Sequence, residues 1–303
     1  MIFKNGITFG LVLSAIILTA CDKQSTDAPV LPDAPDAAIQ AVITEFAKGN
    51  GGILWEAMPL SYQRDVTGLA KLAGTKVDPE VYDKCFALLA RLADVADQQK
   101  AFILNSTFLD TVTAEERAQM EAALPAVIGL LKTVATCDLA SSIGLQNFDG
   151  QSFFGTTVSK LTEYFESLAQ LAGEESPLSD YSKTEVSLVS VDALQATLSV
   201  VLPGQAPAEH DFTKVGQRWV PVEVANQWAA EIAESTANLE AISTEQTAAQ
   251  KPQIMSVLTM VDGVLTQIAA AETQEQFDQS LKGAMMPLMG MMMMMGQSFG
   301  SGE

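Results

Sequence analysis

The residues with the most distinctive chemistry in this chain carry sulfur. Met285, Met286, Met289, Met291, Met292, Met293, Met294 and Met295 crowd one short C-terminal run, and three cysteines stand at Cys21, Cys85 and Cys137. Thioethers are soft ligands that suit Cu(I), so the run is a candidate copper site. Two other readings stay open: an adaptable apolar segment that packs against the protein, a partner or membrane, and a disordered tail prone to sulfoxide formation. The tail carries no charge over residues 283–302, but Pro287, Gly290 and Gly296 leave its apolar part shorter than the ~18 residues a span needs.

Other chemistry is thin. His210 is the sole histidine, and it stands beside Asp211 in a predicted strand with no nucleophile identifiable near it. Gly296-Gln297-Ser298-Phe299-Gly300 has the spacing of a nucleophile elbow, but too little chain follows to supply a helix, an acid and a histidine. Zinc would want several His or Cys ligands, and no phosphate loop or dinucleotide fingerprint occurs. No catalytic residue is assigned, and the expectation is a protein that is not an enzyme.

The N-terminus has a secretory layout: Lys4, then an apolar run from Ile7 to Leu18, then small residues. Leu18-Thr19-Ala20-Cys21 resembles the lipobox of bacterial lipoproteins. That resemblance implies cleavage after Ala20, acylation of the Cys21 sulfur, and a membrane partnership through the lipid anchor, since two or more chains hold a protein stably on a bilayer. Asp22 resembles the inner-membrane retention signal of enterobacterial lipoproteins, which favours the periplasmic face of the inner membrane over the outer membrane.

An exported chain meets oxidising conditions, which bears on the other two cysteines. Cys85 continues the apolar stripe Leu88, Leu89, Leu92 of one predicted helix, and Cys137 continues Val127, Leu130, Leu131, Val134 of another. Both thiols are therefore expected to point into the core. Either they form a helix-to-helix disulfide, which at this loop length stabilises by up to about 4 kcal/mol, or they are separate buried thiols acting as small hydrophobes.

Hydrophobic residues make up 48% of the chain, which fits a globular core, while the net charge of -20 disfavours nucleic acid and anionic lipid headgroups as partners. Residues 1–20 read as a signal peptide and 21–36, rich in Pro and Asp, as a lipidated tether. Residues 37–175 read as a helical region. Asp78-Pro79-Glu80 starts one helix, Thr113-Ala114-Glu115-Glu116 offers a capping box for another, and Pro125 should kink it or start a new segment.

The period changes to 2 over 176–222, where Leu194, Ala196, Leu198, Val200 and Leu202 alternate with polar residues. Val191-Asp192-Ala193 connects this strand to a weaker one holding Val186 and Leu188; two more, around 210–215 and 218–222, meet at Gly216. Residues 223–282 read as C-terminal helices packing on the strands, with the second starting at Pro252, and 283–303 as a Met/Gly-rich tail. The fold class expected is α+β, mostly helical with one small four-stranded antiparallel meander.

The stretch DAAIQAVITEFAKGNGGILWEAMPLSYQRDV, residues 36–66, resembles the first helices of small lipoproteins with a nuclear-transport-factor-2-like fold. VDALQATLSVVLP and FTKVGQRWVPV, within residues 191–222, resemble their final strands, ending at a Lys-x-Gly-x-x-Trp turn. About 110 helical residues intervene, a departure from that compact pattern. That family includes many non-enzymatic members, so the resemblance implies a fold and no activity. The function expected is a membrane-anchored envelope lipoprotein with a non-enzymatic binding or structural role and an envelope protein partner. The alternative is a small-ligand or Cu(I)-binding lipoprotein, with a small-ligand pocket sought between the meander and the helix from Glu223.

Overall fold

The structure is a computed structural model that describes residues 31–173 and 177–284. Ala20, Cys21 and the methionines from Met285 to Met295 lie outside the described residues. The chain is a mostly helical α+β protein with one four-stranded antiparallel sheet, as the change of hydrophobic period predicts.

Helix α1 spans Pro35–Ala47, with proline at its first turn, where the missing N–H has no partner to lose. Gly49, at φ 83°, takes the left-handed conformation that ends this segment. Helices α2 (Gly52–Ala57) and α3 (Leu60–Lys76) follow. Helix α4 (Pro79–Gln98) starts as its sequence demands, since the Asp78 carboxylate accepts the Val81 N–H at 3.1 Å.

After α5 (Lys100–Leu104), helix α6 (Ala114–Ala135) opens on the capping box. Thr113 Oγ1 accepts the Glu116 N–H at 3.2 Å, and the Glu116 carboxylate accepts the Thr113 N–H at 2.8 Å. Pro125 does not start a new segment; α6 continues through it, packed between α4 and α8 (Ser159–Leu171) with Ala126, Ile128 and Val134 buried. By length and composition α6 is also the one described helix that could cross a membrane.

Between α6 and α8 the chain makes helix α7 (Ser142–Gln146) and a π-helical segment, Phe153–Val158. These bring Trp55, Phe148, Phe153 and Phe154 together in the principal core cluster. Gly150 lies flat against the Trp55 ring, where a Cβ would collide.

Helix α9 (Pro177–Ser182) precedes the sheet, so the part of the chain read as strands from residue 176 begins with a helical turn. Strands β1 (Glu185–Val191), β2 (Gln195–Val201), β3 (Ala208–Val215) and β4 (Arg218–Pro221) pair in sequence order. Gly216, at φ 62°, makes the last tight turn. Alternation places Ala196 and Leu198 on the buried face with Phe212 and Trp219, against Ala38 of α1. Leu194, expected inside, sits in the β1–β2 turn, where its N–H is held by the Asp192 carboxylate, and is exposed.

The C-terminal helices divide their work. Helix α10 (Val222–Glu240) packs on β3, β4 and α3, where Trp228 stacks on Tyr62 at 3.9 Å between ring centres and donates its indole N–H to Asp65 at 2.8 Å. Helix α11 (Thr244–Ala269) does not pack on the strands; it lies along α4. Charge and core both favour this placement: Asp262 pairs with Lys84 at 2.6 Å and with Arg91, Lys251 reaches Asp78 and Glu80, and Ile268 joins Val95 and Phe277 in a buried cluster. Pro252 is interior to α11 rather than its start, because the Ser243 hydroxyl caps the Gln246 N–H upstream at 3.3 Å.

Candidate functional site

An open groove of about 560 Å³ runs along α3. Trp55 forms part of its lining, and Leu60, Arg64, Gly68 and Lys71 line it from one helical stripe. Local bonds fix the stripe: Gln63 Nε2 donates to the carbonyls of Trp55 at 2.8 Å and Met58 at 3.2 Å, tying α2 to α3, and Arg64 Nε donates to the Leu60 carbonyl at 3.2 Å. The result is an apolar surface rimmed by two cations on an acidic protein. Such a groove can hold an anionic amphipathic group; it presents no nucleophile with a base beside it.

A second groove, of about 350 Å³, opens at the β1–β2 turn between the strands and Val222, close to where a pocket between the meander and the following helix is expected. Asp192 shapes the turn by accepting the N–H groups of Leu194 and Gln195, both at 2.8 Å. Those bonds hold its carboxyl below the usual carboxylate range. Thr197 donates to Asp211 at 2.8 Å across the neighbouring strand.

The cysteines part company. Cys137 is buried, and burial pushes its thiol up to about 12. Cys85, expected to face the core, is exposed, and both are free thiols. α4 is gripped from several sides: Tyr82 and Phe86 face the Trp55 cluster while Lys84 and Arg91 face α11, which leaves Cys85 at the surface although Leu88 of the same stripe is buried. Partial burial still raises the Cys85 thiol above its ordinary value.

His210 is exposed on β3, in register with Leu198 of β2. Among the described residues no three His, Cys, Asp or Glu side chains converge to hold a metal ion. Cys21 and Ala20, expected as the lipidation and cleavage residues, and the methionine run lie outside the described residues.

Sequence reasoning passed over the α3 stripe and two half-buried polar pairs. In one, the Asp83 carboxylate accepts the Ser142 N–H at 2.7 Å and its hydroxyl at 3.1 Å; in the other, Asp65 receives Trp228. The i, i+4, i+7 spacing of Arg64, Gly68 and Lys71 was the available signal for the stripe. The polar pairs join segments far apart in the chain and leave no local pattern. Comparison of the chain with protein-family models, with curated proteins and with solved structures yields no match.

Proposed function

We propose that this chain is a lipid-anchored envelope protein with a non-enzymatic binding or structural role toward another envelope protein, held on the periplasmic face of the inner membrane. The observation that carries the reading is Leu18-Thr19-Ala20-Cys21 after an apolar leader, followed by a Pro- and Asp-rich stretch that ends where α1 begins. The Trp219 indole N–H donates to the Asp33 carbonyl at 2.9 Å, which ties the end of that stretch to the sheet. A body fixed at this point and acylated upstream stands off the bilayer by the length of its tether.

Labelling of expressing cells with an alkyne fatty acid tests the anchor. Label on the wild-type chain and none on Cys21→Ser, with the variant released from membranes, is the expected result; a Cys21→Ser chain that stays in the membrane fraction overturns it. Crosslinking in the native envelope should capture a protein partner, and turnover by the purified chain in broad hydrolase screens would overturn the non-enzymatic role.

A second reading rests on the methionine run. Eight thioethers on an exported chain supply soft donors for Cu(I). Titration of the mature chain and of a copy lacking residues 284–303 with Cu(I), against a competing chelator, decides it: equal, weak affinity in both removes copper.

A further inference from the structure

We infer that the outer edge of β1 is a docking site for an extended peptide segment whose apolar centre is flanked by lysine or arginine. β1 is an edge strand, and its apolar residues are unusually open: Leu188 is 43% exposed, Val189 51%, Val191 49%, and Leu194 in the adjoining turn 61%. Free edges are commonly guarded by charge, by proline or by a bulge. Residues 186–191 contain no charge and no proline, and their one irregularity is a register shift between Leu188 and Ser190.

The protein's own contacts show what this edge accepts. Gln40 of α1 donates its side-chain N–H to the Thr184 carbonyl at 3.0 Å, and its side-chain oxygen accepts the Val186 N–H at 2.9 Å. That amide occupies the place a further strand would take, but only at the beginning of β1. A residue whose N–H turns away from an antiparallel ladder turns its C=O the same way, and so does the residue two further on. Leu188 therefore offers both backbone groups outward.

A register shift between Leu188 and Ser190 inserts one residue, after which Ser190 pairs with Thr197 and the Asp192 N–H donates to the Gln195 carbonyl at 2.9 Å. Val191, between them, again faces outward. Leu188 and Val191 are in register with the buried residues Leu198 and Ala196, so their side chains lie on the same face as the sheet's core, at its uncovered corner.

Charge selects the occupant. Glu185 and Asp192 bracket the uncharged stretch, Asp211 stands in the adjoining groove, and the chain as a whole carries -20. A second copy pairing antiparallel through β1 would set Glu185 close to Asp192 at both ends, like charge against like. A segment with basic flanks reverses that sign, gains main-chain hydrogen bonds from Leu188 and Val191, and seats alternate apolar side chains over the open corner. No β1 residue lines the α3 groove, and the binding test does not depend on acylation of Cys21, so the result leaves the lipoprotein reading untouched.

The test uses the mature full-length chain in detergent and a synthetic peptide of alternating valine and threonine with lysines at both ends. Two controls accompany it, one with glutamate for lysine and one N-methylated on alternate amides. The lysine peptide should bind and slow amide exchange at Leu188 and Val191, with the two controls and Leu188→Lys each weaker by at least about tenfold. Val191→Pro removes an outward N–H without touching the β1–β2 ladder, and it should weaken binding while the circular dichroism stays unchanged. Equal binding of the lysine and glutamate peptides, protection elsewhere on the chain, or a dimer that Leu188→Lys dissolves would each overturn the inference; the N-methyl control needs no altered protein.

Discussion

Burial separates two thiols that the sequence treats alike. Cys137 lies among Trp55, Phe153 and Phe154, and its raised value keeps it protonated and unreactive near neutral pH, whereas Cys85 meets solvent. A thiol reagent should therefore modify Cys85 slowly in the native protein and reach Cys137 only after denaturation. Finding no free thiol in the oxidised, denatured chain would establish a bridge instead. Thr157 is the second residue whose surroundings decide its effect: it is fully buried within the π-helical segment, and its hydroxyl has no hydrogen-bond partner among the described residues. An unpaired buried hydroxyl is costly, so Thr157→Val, which keeps the shape, should raise stability by about 1 kcal/mol in urea unfolding.

Elements meet here through close approaches and paired charges. Gly150 lets the chain before the π-helical segment press on Trp55 of α2, and its Cβ would strike a ring walled in by Phe148 and Phe154. Gly150→Ala should cost about 1–3 kcal/mol, measured as a drop in the denaturation midpoint. The seam between α4 and α11 depends on Asp262, whose carboxyl is held below its usual range first by Lys84 and then by Arg91. Asp262→Asn should lower Tm and make the α11 amides exchange faster, while those of β2 keep their protection. Uniform loss of protection across the chain would mean that α11 is not an independent element of stability.

For the whole molecule, the pH dependence follows from groups on α4, α6 and α11 and on the segment after α11. Asp78, held by the Val81 N–H and then Lys251, Asp97, held by Lys132, and Asp278, held by Ser106, all lie below the ordinary carboxylate range, as does Asp262. A depressed folded-state value gives stability that is complete above the unfolded value of about 4 and is lost as pH falls through the folded one. Lys132 is raised by Asp97 and then Asp94, and Lys251 by Glu80 and then Asp78, so their contribution is present below about 10.4, the unfolded value, and disappears as pH rises through the folded one. Melting followed from pH 7 downward should show a level Tm to about pH 5 and a fall below about pH 4; a fall that begins near pH 6 would contradict this assignment.

What the sequence determined by itself is whatever short-range chemistry controls. Asp78 with Pro79, Thr113 with Glu116, and Gly216 each set a cap or turn within a few residues, and the alternation of Ala196 and Leu198 identified a half-buried strand. Tertiary structure decided everything that depends on which elements share a neighbour. Cys85 ended outside because α4 is contacted from several sides, Pro252 was carried inside α11 by a cap upstream of it, and α11 chose α4 over the sheet through charges more than 170 positions apart in the chain. The open edge of β1 is of the same kind: its residues read as an ordinary weak strand, and only its place at the end of the sheet order, with Gln40 covering just the first part, leaves Leu188 and Val191 facing out. A periodic pattern reports that a face is apolar; the packing of distant segments determines whether anything covers it.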